Sequence, residues 1–168
     1  MVLRTTLGPL SLCLADKRGV IQSRWCILKE MTLPGPFLFQ TRIRYIDTDT
    51  SGRIHYTAMF RYFESAEIEF MRSLGIVYLG HEFTFPRVHA ECDFKLALQY
   101  DDAIEIEVCL TKLGRSSVRF EFRTTKTGEM AAKGVIVVAC TNKKTQRVIP
   151  IPEEVREKLK VAVTGQSK

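Results

Sequence analysis

The sequence lacks the long apolar segments and paired cysteines that are typical of membrane-spanning and disulfide-rich proteins. Its longest apolar run, residues 135–140, is short and rich in β-branched residues, which predicts a buried strand rather than a membrane span of about 20 residues. No CxxC pair is present, so neither a zinc site nor a disulfide framework is predicted. We therefore expect unpaired thiols in a reducing, cytoplasmic compartment. The five cysteines are Cys13, Cys26, Cys92, Cys109 and Cys140.

The chain also lacks a long block of basic residues. Its 25 lysines and arginines against 19 acidic residues give a formal net charge of +6, spread along 168 residues. That charge suits an anionic ligand but does not favour nucleic acid as a partner, because nucleic-acid-binding surfaces concentrate their lysines and arginines on one face. The length fits one domain with one hydrophobic core, and no internal repeat or low-complexity segment divides it.

Residues 1–33 differ in pattern from the remainder of the chain and are predicted to form an N-terminal extension outside the core. Three interpretations stay open for them: a secretory signal peptide with an apolar stretch at 7–15, an organelle-targeting segment, or an accessory leader before an alternative start at Met31. Pro34-Gly35-Pro36 marks the entrance of the domain, which we expect to span residues 34–163. Residues 164–168 are expected to be a frayed tail.

The spacing of apolar residues predicts one long helix and five strands. Apolar residues recur on one face of residues 56–74, as in a helix packed against a sheet, and Gly75 supplies the stop. A second, short helix follows Pro152. The fold class is therefore α+β, with one long helix against a five-stranded, mainly antiparallel sheet. The predicted strands are 37–46, 86–98, 103–110, 118–123 and 130–141, with tight turns at 114–116 and 127–129.

A polar loop, Asp47-Thr48-Asp49-Thr50-Ser51-Gly52, joins the first strand to the long helix. Its spacing matches the start of a calcium-binding loop, but position 12, which needs a bidentate Glu, is Ala58, and a strand precedes the loop instead of a helix. Two interpretations remain. Either Asp49 is a catalytic carboxylate beside a helix N-terminus, or Asp47 or Asp49 caps a turn or the helix.

Carboxylates on the helix give further candidates. Glu67 projects into the apolar face of the helix and Glu64 lies near its edge. A carboxylate in such a place is either satisfied by hydrogen bonds or functional, and the structural interpretation is favoured. On a later strand His89, Glu91 and Asp93 share one face, but the basic residues that flank them favour a solvated or subunit-contact face. No metal site is therefore predicted.

The loop and helix resemble the active-site segment of hotdog-fold acyl-CoA thioesterases of the 4-hydroxybenzoyl-CoA thioesterase family. Residues 45–70 are YIDTDTSGRIHYTAMFRYFESAEIEF, which contain the aromatic residue, the two aspartates, the glycine, the aromatic or histidine pair that opens the helix, and the later acid of that segment. The similarity runs from about Phe37 to Pro152 by strand order. It implies a hotdog fold, in which a five-stranded sheet wraps one helix. It also implies that subunits join their sheets as a homodimer or homotetramer, with active sites at the interface.

The resemblance implies roles for individual residues. Asp49 corresponds to the catalytic carboxylate, acting as nucleophile or general base, and the backbone N–H of Tyr56 polarises the thioester carbonyl. His55 is a further catalytic candidate, although this chain has His-Tyr where some relatives have Tyr-His. Glu64 is a supporting residue that fixes geometry. Gly52 lets the backbone approach the substrate closely.

The implied substrate is an acyl-CoA, or the same acyl group on acyl carrier protein. CoA is then part of the substrate, and no cofactor is expected. Arg115, Ser116 and Ser117 resemble the basic turn that meets CoA in this family, since arginine and hydroxyl groups suit phosphate. Two other classes stay open: a hotdog dehydratase or hydratase, and a non-catalytic protein that binds acyl-CoA or an acyl carrier.

Overall fold

A computed structural model describes residues 36–163 of the chain. The predictions for the extension at 1–33, for Cys13 and Cys26, for the first two residues of the domain and for the tail at 164–168 lie outside the described residues. A short 3-10 turn, Tyr45–Asp47, follows the first strand. The elements are β1 (Phe37–Arg42), α1 (Ala58–Ser73), β2 (Phe83–Thr84), β3 (Arg87–Phe94), β4 (Ala103–Leu113), β5 (Ser117–Lys126), β6 (Glu129–Ala139), β7 (Thr141–Asn142) and α2 (Glu153–Lys160).

Five strands form one sheet in the spatial order β1-β4-β5-β6-β3, and every neighbouring pair is antiparallel. Tight turns join β4 to β5 and β5 to β6, as the sequence predicts. In the second turn Thr127 and Gly128 adopt positive φ angles of 51° and 82°, a two-residue geometry whose twist matches that of the flanking strands. The predicted α+β class and five-stranded sheet are confirmed. The sequence pattern does not reveal the separate two-stranded ribbon of β2 and β7.

The boundaries between β1 and α1 differ from the predicted ones. β1 ends at Arg42 rather than at residue 46, and α1 begins at Ala58 rather than at Tyr56. The alternating pattern was misleading because Ile43 is buried although the ladder of β1 has already ended. The chain then enters the 3-10 turn, where buried and exposed side chains no longer alternate as they do in a strand.

Strand β3 is shorter and more exposed than its pattern predicts. It ends at Phe94, whereas the prediction continued to residue 98. Val88 and Phe94, which share the predicted buried face, are exposed in the single chain. The reason is that β3 is an edge strand, paired only with β6 among the described residues, so its open side has no neighbour.

The aromatic face of α1 packs against the sheet. Phe63 is fully buried and stacks on Phe122 of β5, with ring centroids 4.7 Å apart. Further along the helix, Phe70 packs edge-on against Phe120 at 6.1 Å. This approach depends on Gly134 of β6, because a Cβ atom there would lie 2.2 Å from the Phe63 ring. Position 134 therefore sets how near the helix comes to the sheet.

The carboxylate of Asp47 anchors the 3-10 turn to α1. It is 1% exposed and accepts hydrogen bonds from Arg61, from the Tyr62 hydroxyl at 2.7 Å and from Arg44 Nε at 2.8 Å. Its backbone carbonyl accepts the N–H of His55 at 2.8 Å. Burial alone would raise the pKa of Asp47, but the hydrogen bonds from Arg61, Arg44 and Tyr62 outweigh it and lower the pKa to about 2. The start of the polar loop is thus fixed to α1 through the Asp47 carboxylate, and its end is fixed to its start through the bond from His55 to the Asp47 carbonyl.

The short helix α2 lies beside the turn that joins β4 to β5, at the end of these strands that is remote from the polar loop. Its buried face carries Val155 and Leu159. Arg156 Nη2 donates to the carbonyls of Gly114 and Arg115 in the β4–β5 turn, at 2.6 and 2.9 Å. The predicted C-terminal helix is therefore confirmed. Across the described residues, neither helix is long and apolar enough to cross a membrane.

Replacing Gly134 by Ala is expected to destabilise the fold by roughly 1–3 kcal/mol, because the added methyl overpacks the Phe63 ring in a filled core. The check is urea unfolding of Gly134→Ala, Phe63→Leu and the double variant. We expect the double variant to be more stable than the sum of the two single effects predicts, since the smaller side chain makes room for the methyl group. Strict additivity would contradict this account of the contact.

Replacing Asp47 by Asn is expected to cost about 2 kcal/mol at pH 7, because the lowered pKa of Asp47 stabilises the folded state whenever the carboxylate is ionised. The folded pKa of about 2 lies below the ordinary value of 3.8. This contribution is therefore complete above pH 4 to 5 and is lost as the pH falls toward 2. Urea unfolding at pH 7 and pH 3 measures it, and the difference between wild type and variant should shrink by about half at pH 3.

Asp101→Asn is the matched control for this measurement. The Asp101 carboxylate is exposed and lies 3.4 Å from Arg42 in a solvated ion pair, so its loss should cost less than about 0.5 kcal/mol at either pH. If Asp47→Asn behaved like this control, the anchoring role of Asp47 would be wrong.

Candidate active site

The polar loop after the 3-10 turn folds back on itself. The N–H of Asp49 donates to the Arg53 carbonyl at 2.8 Å, and the N–H of Gly52 donates to the Asp49 carbonyl at 3.0 Å. Gly52 has a φ of 75°, a left-handed conformation that favours glycine. Ile54 then ties the loop to the segment before β4 by donating to the Leu98 carbonyl at 2.8 Å. These hydrogen bonds fix the position of the Asp49 backbone.

Asp49 carries an exposed and oriented carboxylate. Its Oδ1 accepts two hydrogen bonds from Ser51, one from the hydroxyl at 2.6 Å and one from the backbone N–H at 2.8 Å. The Ser51 hydroxyl and then the Ser51 N–H lower the pKa of Asp49 below its ordinary value. The group is therefore an ionised carboxylate at neutral pH, and Oδ2 is the oxygen that Ser51 does not hold.

The backbone at the start of α1 offers an unused hydrogen-bond donor. The N–H of His55 donates to Asp47, that of Thr57 to His55 Nδ1 at 3.3 Å, and that of Ala58 to the His55 carbonyl at 2.8 Å. Between them, the N–H of Tyr56 has no acceptor within residues 36–163. Tyr56 precedes α1 by two residues rather than opening it. An unpaired N–H beside a helix N-terminus is suited to an oxyanion.

The imidazole of His55 is engaged locally. Its Nδ1 lies 2.7 Å from the Thr57 hydroxyl, and its ring lies against that of Tyr56 with centroids 4.7 Å apart. The side chain is exposed. These contacts occupy Nδ1 and one face of the ring, and Nε2 is the ring nitrogen outside them.

An open depression in the surface brings part of the predicted site together. Asp49, Gly52 and His55 line it, as three of the residues selected from the sequence. Tyr45 and Ile46 of the 3-10 turn line it as well. The depression is therefore lined both by an ionised carboxylate and by apolar side chains.

Glu64 and Glu67 lie elsewhere on α1. Glu67 is fully buried and accepts hydrogen bonds from the Tyr78 hydroxyl at 2.6 Å and from Arg87 Nη2 at 3.2 Å. Burial raises the pKa of Glu67, against the opposing effect of Arg87. Glu64 is exposed and pairs with the same Arg87 nitrogen at 3.2 Å. Both carboxylates thus point toward the start of β3, and the satisfied state of Glu67 agrees with the favoured structural interpretation.

The predicted CoA-binding turn lies far from Asp49 in the single chain. Arg115 is exposed, and the Ser116 carbonyl accepts the Cys140 N–H at 2.7 Å. Ser117 closes the turn by accepting the N–H of Gly114 at 2.8 Å. The turn follows the last residue of β4, whereas the Asp49 loop lies near its first. β4 has 11 residues, so the separation is roughly 35 Å at about 3.3 Å per residue.

The strand residues considered for a metal pair with their neighbours instead. His89 Nε2 lies 3.2 Å from Glu91 on the exposed face of β3. Asp93 lies 3.8 Å from Lys95. Within the part of the chain that the structure describes, no group of three or more histidine, cysteine or acidic residues is arranged to hold a metal ion.

Sequence reasoning missed the groups that hold the loop in place. Arg61 and Tyr62 lie 14 and 15 residues after Asp47, on a helix whose apolar periodicity puts Arg61 on the solvent face. The available signal was weak: a tyrosine and an arginine one turn into the helix, after an acid-rich loop. Tyr100, which packs against Tyr45, gave no signal at all because it lies in a loop.

Comparison with known proteins places the chain in a family. A model of the thioesterase-like superfamily matches residues 29–159. A curated protein of Aquifex aeolicus is 34% identical over 135 residues, covering 74% of this chain and 98% of that protein. The 1,4-dihydroxy-2-naphthoyl-CoA hydrolase of Synechococcus elongatus is 27% identical over 130 residues, covering 74% and 96%.

The fold is found in solved structures as well. The crystal structure of a hypothetical protein from Aquifex aeolicus superimposes with a TM-score of 0.70 and 31% identity, covering 74% of this chain and 99% of that one. The expected hotdog arrangement of one long helix and a five-stranded sheet is confirmed. Since the family model matches most of its length, the chain belongs to the thioesterase-like superfamily.

Proposed function

We propose that this protein is an acyl-CoA thioesterase, which converts an acyl-CoA and water into a carboxylic acid and CoA. One observation carries the proposal: the ionised carboxylate of Asp49 lies in the same loop-to-helix segment as the unpaired N–H of Tyr56. The first supplies a nucleophile or base, and the second supplies an oxyanion donor. The Synechococcus elongatus relative, whose name specifies a CoA ester, supports CoA as the leaving group.

In the proposed reaction the thioester carbonyl oxygen accepts the Tyr56 N–H. The positive end of α1 stabilises the charge that develops on this oxygen. Asp49 then follows one of two routes. It attacks the carbonyl carbon, expelling CoA and forming an anhydride that water hydrolyses, or it takes a proton from a water that attacks the carbon. Both routes break the C–S bond and end with the acid and the protonated thiol of CoA.

The other site residues have supporting parts in this proposal. Gly52 keeps the loop free of a side chain where the thioester approaches. His55 lines the same depression as Asp49, and in this proposal it contacts the leaving group through Nε2. Glu64, which pairs with Arg87 at the start of β3, fixes that side of α1 rather than acting on the substrate.

We further propose that the working unit is a homodimer joined at β3. The open edge of β3 carries exposed Val88 and Phe94, and an antiparallel copy of the same strand would cover them. Such antiparallel pairing brings the end of one sheet that carries the β4–β5 turn beside the end of the partner's sheet that carries the polar loop. Arg115 of one chain then approaches Asp49 of the other, which suits CoA phosphates. A homotetramer would pair two such dimers.

The proposed location is cytoplasmic. Cys140 is buried and Cys92 is half-buried, and neither is part of a disulfide. Burial raises the pKa of both thiols, which keeps them protonated and unreactive. Unpaired structural thiols of this kind fit a reducing compartment.

Replacing Asp49 by Asn is expected to lower kcat by two to four orders of magnitude, because the amide is neither base nor nucleophile. The fold should persist, since the asparagine side chain keeps an oxygen that accepts the Ser51 N–H and the position is exposed. Thiol release from a panel of acyl-CoAs, followed with a chromogenic disulfide, measures kcat. Asp101→Asn serves as an exposed control and should retain full activity.

The same panel separates the alternatives. Turnover that survives in Asp49→Asn contradicts the role of Asp49. Tight binding of acyl-CoA by the wild type without any thiol release would favour a non-catalytic binding protein. Hydration of an enoyl-CoA without hydrolysis would favour a hydratase.

Mixing two inactive or impaired variants tests whether a site draws on two chains. Arg115→Ala should raise KM, because a phosphate contact is lost, while Asp49→Asn should lower kcat by two to four orders of magnitude. If Asp49 and Arg115 come from different chains, a mixed dimer regains one wild-type site. Subunits are exchanged by dilution from mild urea, and thiol release is measured at low substrate.

The control mixes Arg115→Ala with a chain that carries both substitutions. The shared site is supported if the mixture of Arg115→Ala with Asp49→Asn recovers the wild-type KM and the control mixture does not. Equal behaviour of the two mixtures would show that Arg115 serves its own chain or no site.

A further inference from the structure

The 3-10 turn presents its apolar residues outward and its acid inward. Tyr45 is 78% exposed and Ile46 is 81% exposed, whereas the next residue, Asp47, is 1% exposed. Single exposed apolar residues need no explanation, whereas a contiguous exposed apolar patch is typical of a binding surface. Folding alone gives no reason for this arrangement, because water-exposed tyrosine and isoleucine side chains contribute little to stability.

The exposed side chains are held in place by the backbone around them. The Tyr45 carbonyl accepts both the N–H and the hydroxyl of Thr48, at 3.1 and 2.7 Å. Tyr100, itself 60% exposed, packs edge-on against Tyr45 with ring centroids 5.8 Å apart. Asp101 follows with a φ of 66° and donates its N–H to the Ile43 carbonyl at 2.9 Å. The surface is therefore ordered before any ligand arrives.

The apolar surface is continuous with the candidate active site. Tyr45 and Ile46 line the same depression as Asp49 and His55. Asp49 follows Ile46 by only three residues, and Asp47, whose carboxylate is anchored to α1, lies between them in sequence. When the carbonyl carbon of a thioester lies at Asp49, the apolar side chains of Tyr45 and Ile46 are therefore within reach of either its acyl group or its CoA group.

We propose that Tyr45, Ile46 and Tyr100 form an acyl platform that receives a bulky apolar acyl group, a ring or a branched chain, while Asp49 reaches the thioester carbon. This proposal rests on the proposed thioesterase function. It places an acyl contact in the chain that supplies Asp49, and it makes these three residues the determinants of specificity.

The size of the acyl platform favours a small ligand over a protein partner. Aromatic side chains bury about 150–250 Å² each, and Tyr45, Ile46 and Tyr100 are 78%, 81% and 60% exposed, so together they offer roughly 500 Å². A stable protein interface takes about 800 Å² from each partner. An acyl group of six to ten carbons is covered by far less, and the polar side chains of Thr48 and Asp49 bound the surface on the loop side.

The test uses two thioethers of CoA that cannot be hydrolysed, S-benzyl-CoA and S-methyl-CoA, so that binding is measured apart from turnover. Calorimetry gives the Kd of each for the wild type, Ile46→Ser and Val161→Ser. Val161 is the matched control, since it is also 81% exposed and lies beyond α2, away from the loop. Because Ile46 is exposed, its replacement by Ser should leave the fold intact.

We expect the wild type to bind the benzyl ether at least tenfold more tightly than the methyl ether. Ile46→Ser should lose most of that ratio through the benzyl ether alone, and Val161→Ser should keep it. Equal binding of the two ethers by the wild type, no binding of either ether, or an unchanged ratio in Ile46→Ser would overturn the acyl platform. A smaller oligomer for Ile46→Ser in sedimentation velocity would also overturn it, by identifying a subunit contact.

Thiol release from benzoyl-CoA and acetyl-CoA by the same proteins tells the two proposals apart. Turnover with an unchanged benzoyl preference in Ile46→Ser rejects the acyl platform and keeps the thioesterase. A benzyl preference in binding that Ile46→Ser loses, without turnover of any thioester, supports the acyl platform and rejects the thioesterase.

Discussion

The hydrogen-bonded carboxylate of Asp47 is the interaction on which the candidate site depends. It joins the 3-10 turn to Arg61 and Tyr62 on α1, and its backbone carbonyl holds His55. The loop between these contacts is short, so its shape follows from its two fixed ends. The cost of burying the charge is offset because every partner is a donor and two of them are cations. One buried ion thus positions both the carboxylate and the backbone donor of the proposed chemistry.

Two aspartates two residues apart have opposite environments, and the proposed mechanism gives them different roles for that reason. Asp47 is buried and saturated with donors, so it has no oxygen to offer a substrate. Asp49 is exposed and is held through one oxygen only. Both remain ionised at neutral pH, because hydrogen bonds lower the pKa of each. The two carboxylates therefore differ in their access to a ligand rather than in their charge.

Local periodicity predicted the long helix, the hairpins and the five strands, since these depend on side-chain spacing alone. It failed where a tertiary contact, rather than the local sequence pattern, decides which side chains are buried. The prediction carried β1 to residue 46 because burial of Ile43 continues the alternation after the ladder has ended. The apolar face of β3 was expected to be buried, yet an edge strand has no cover in one chain. The separation of Arg115 from Asp49 was equally invisible, because motif spacing contains no strand order. Asp49, Gly52 and His55 were found together because they are neighbours in sequence.

The two hydrogen bonds from Ser51 to a single oxygen of Asp49 have a stereochemical consequence. A solvated carboxylate turns freely about its Cβ–Cγ bond, but the two hydrogen bonds to Oδ1 restrict this rotation in Asp49. Its two oxygens are therefore not equivalent, and in the proposed reaction Oδ2 is the one that meets the thioester carbon or the attacking water. The rotational entropy that a flexible side chain would lose on reaching the reactive geometry has already been lost during folding.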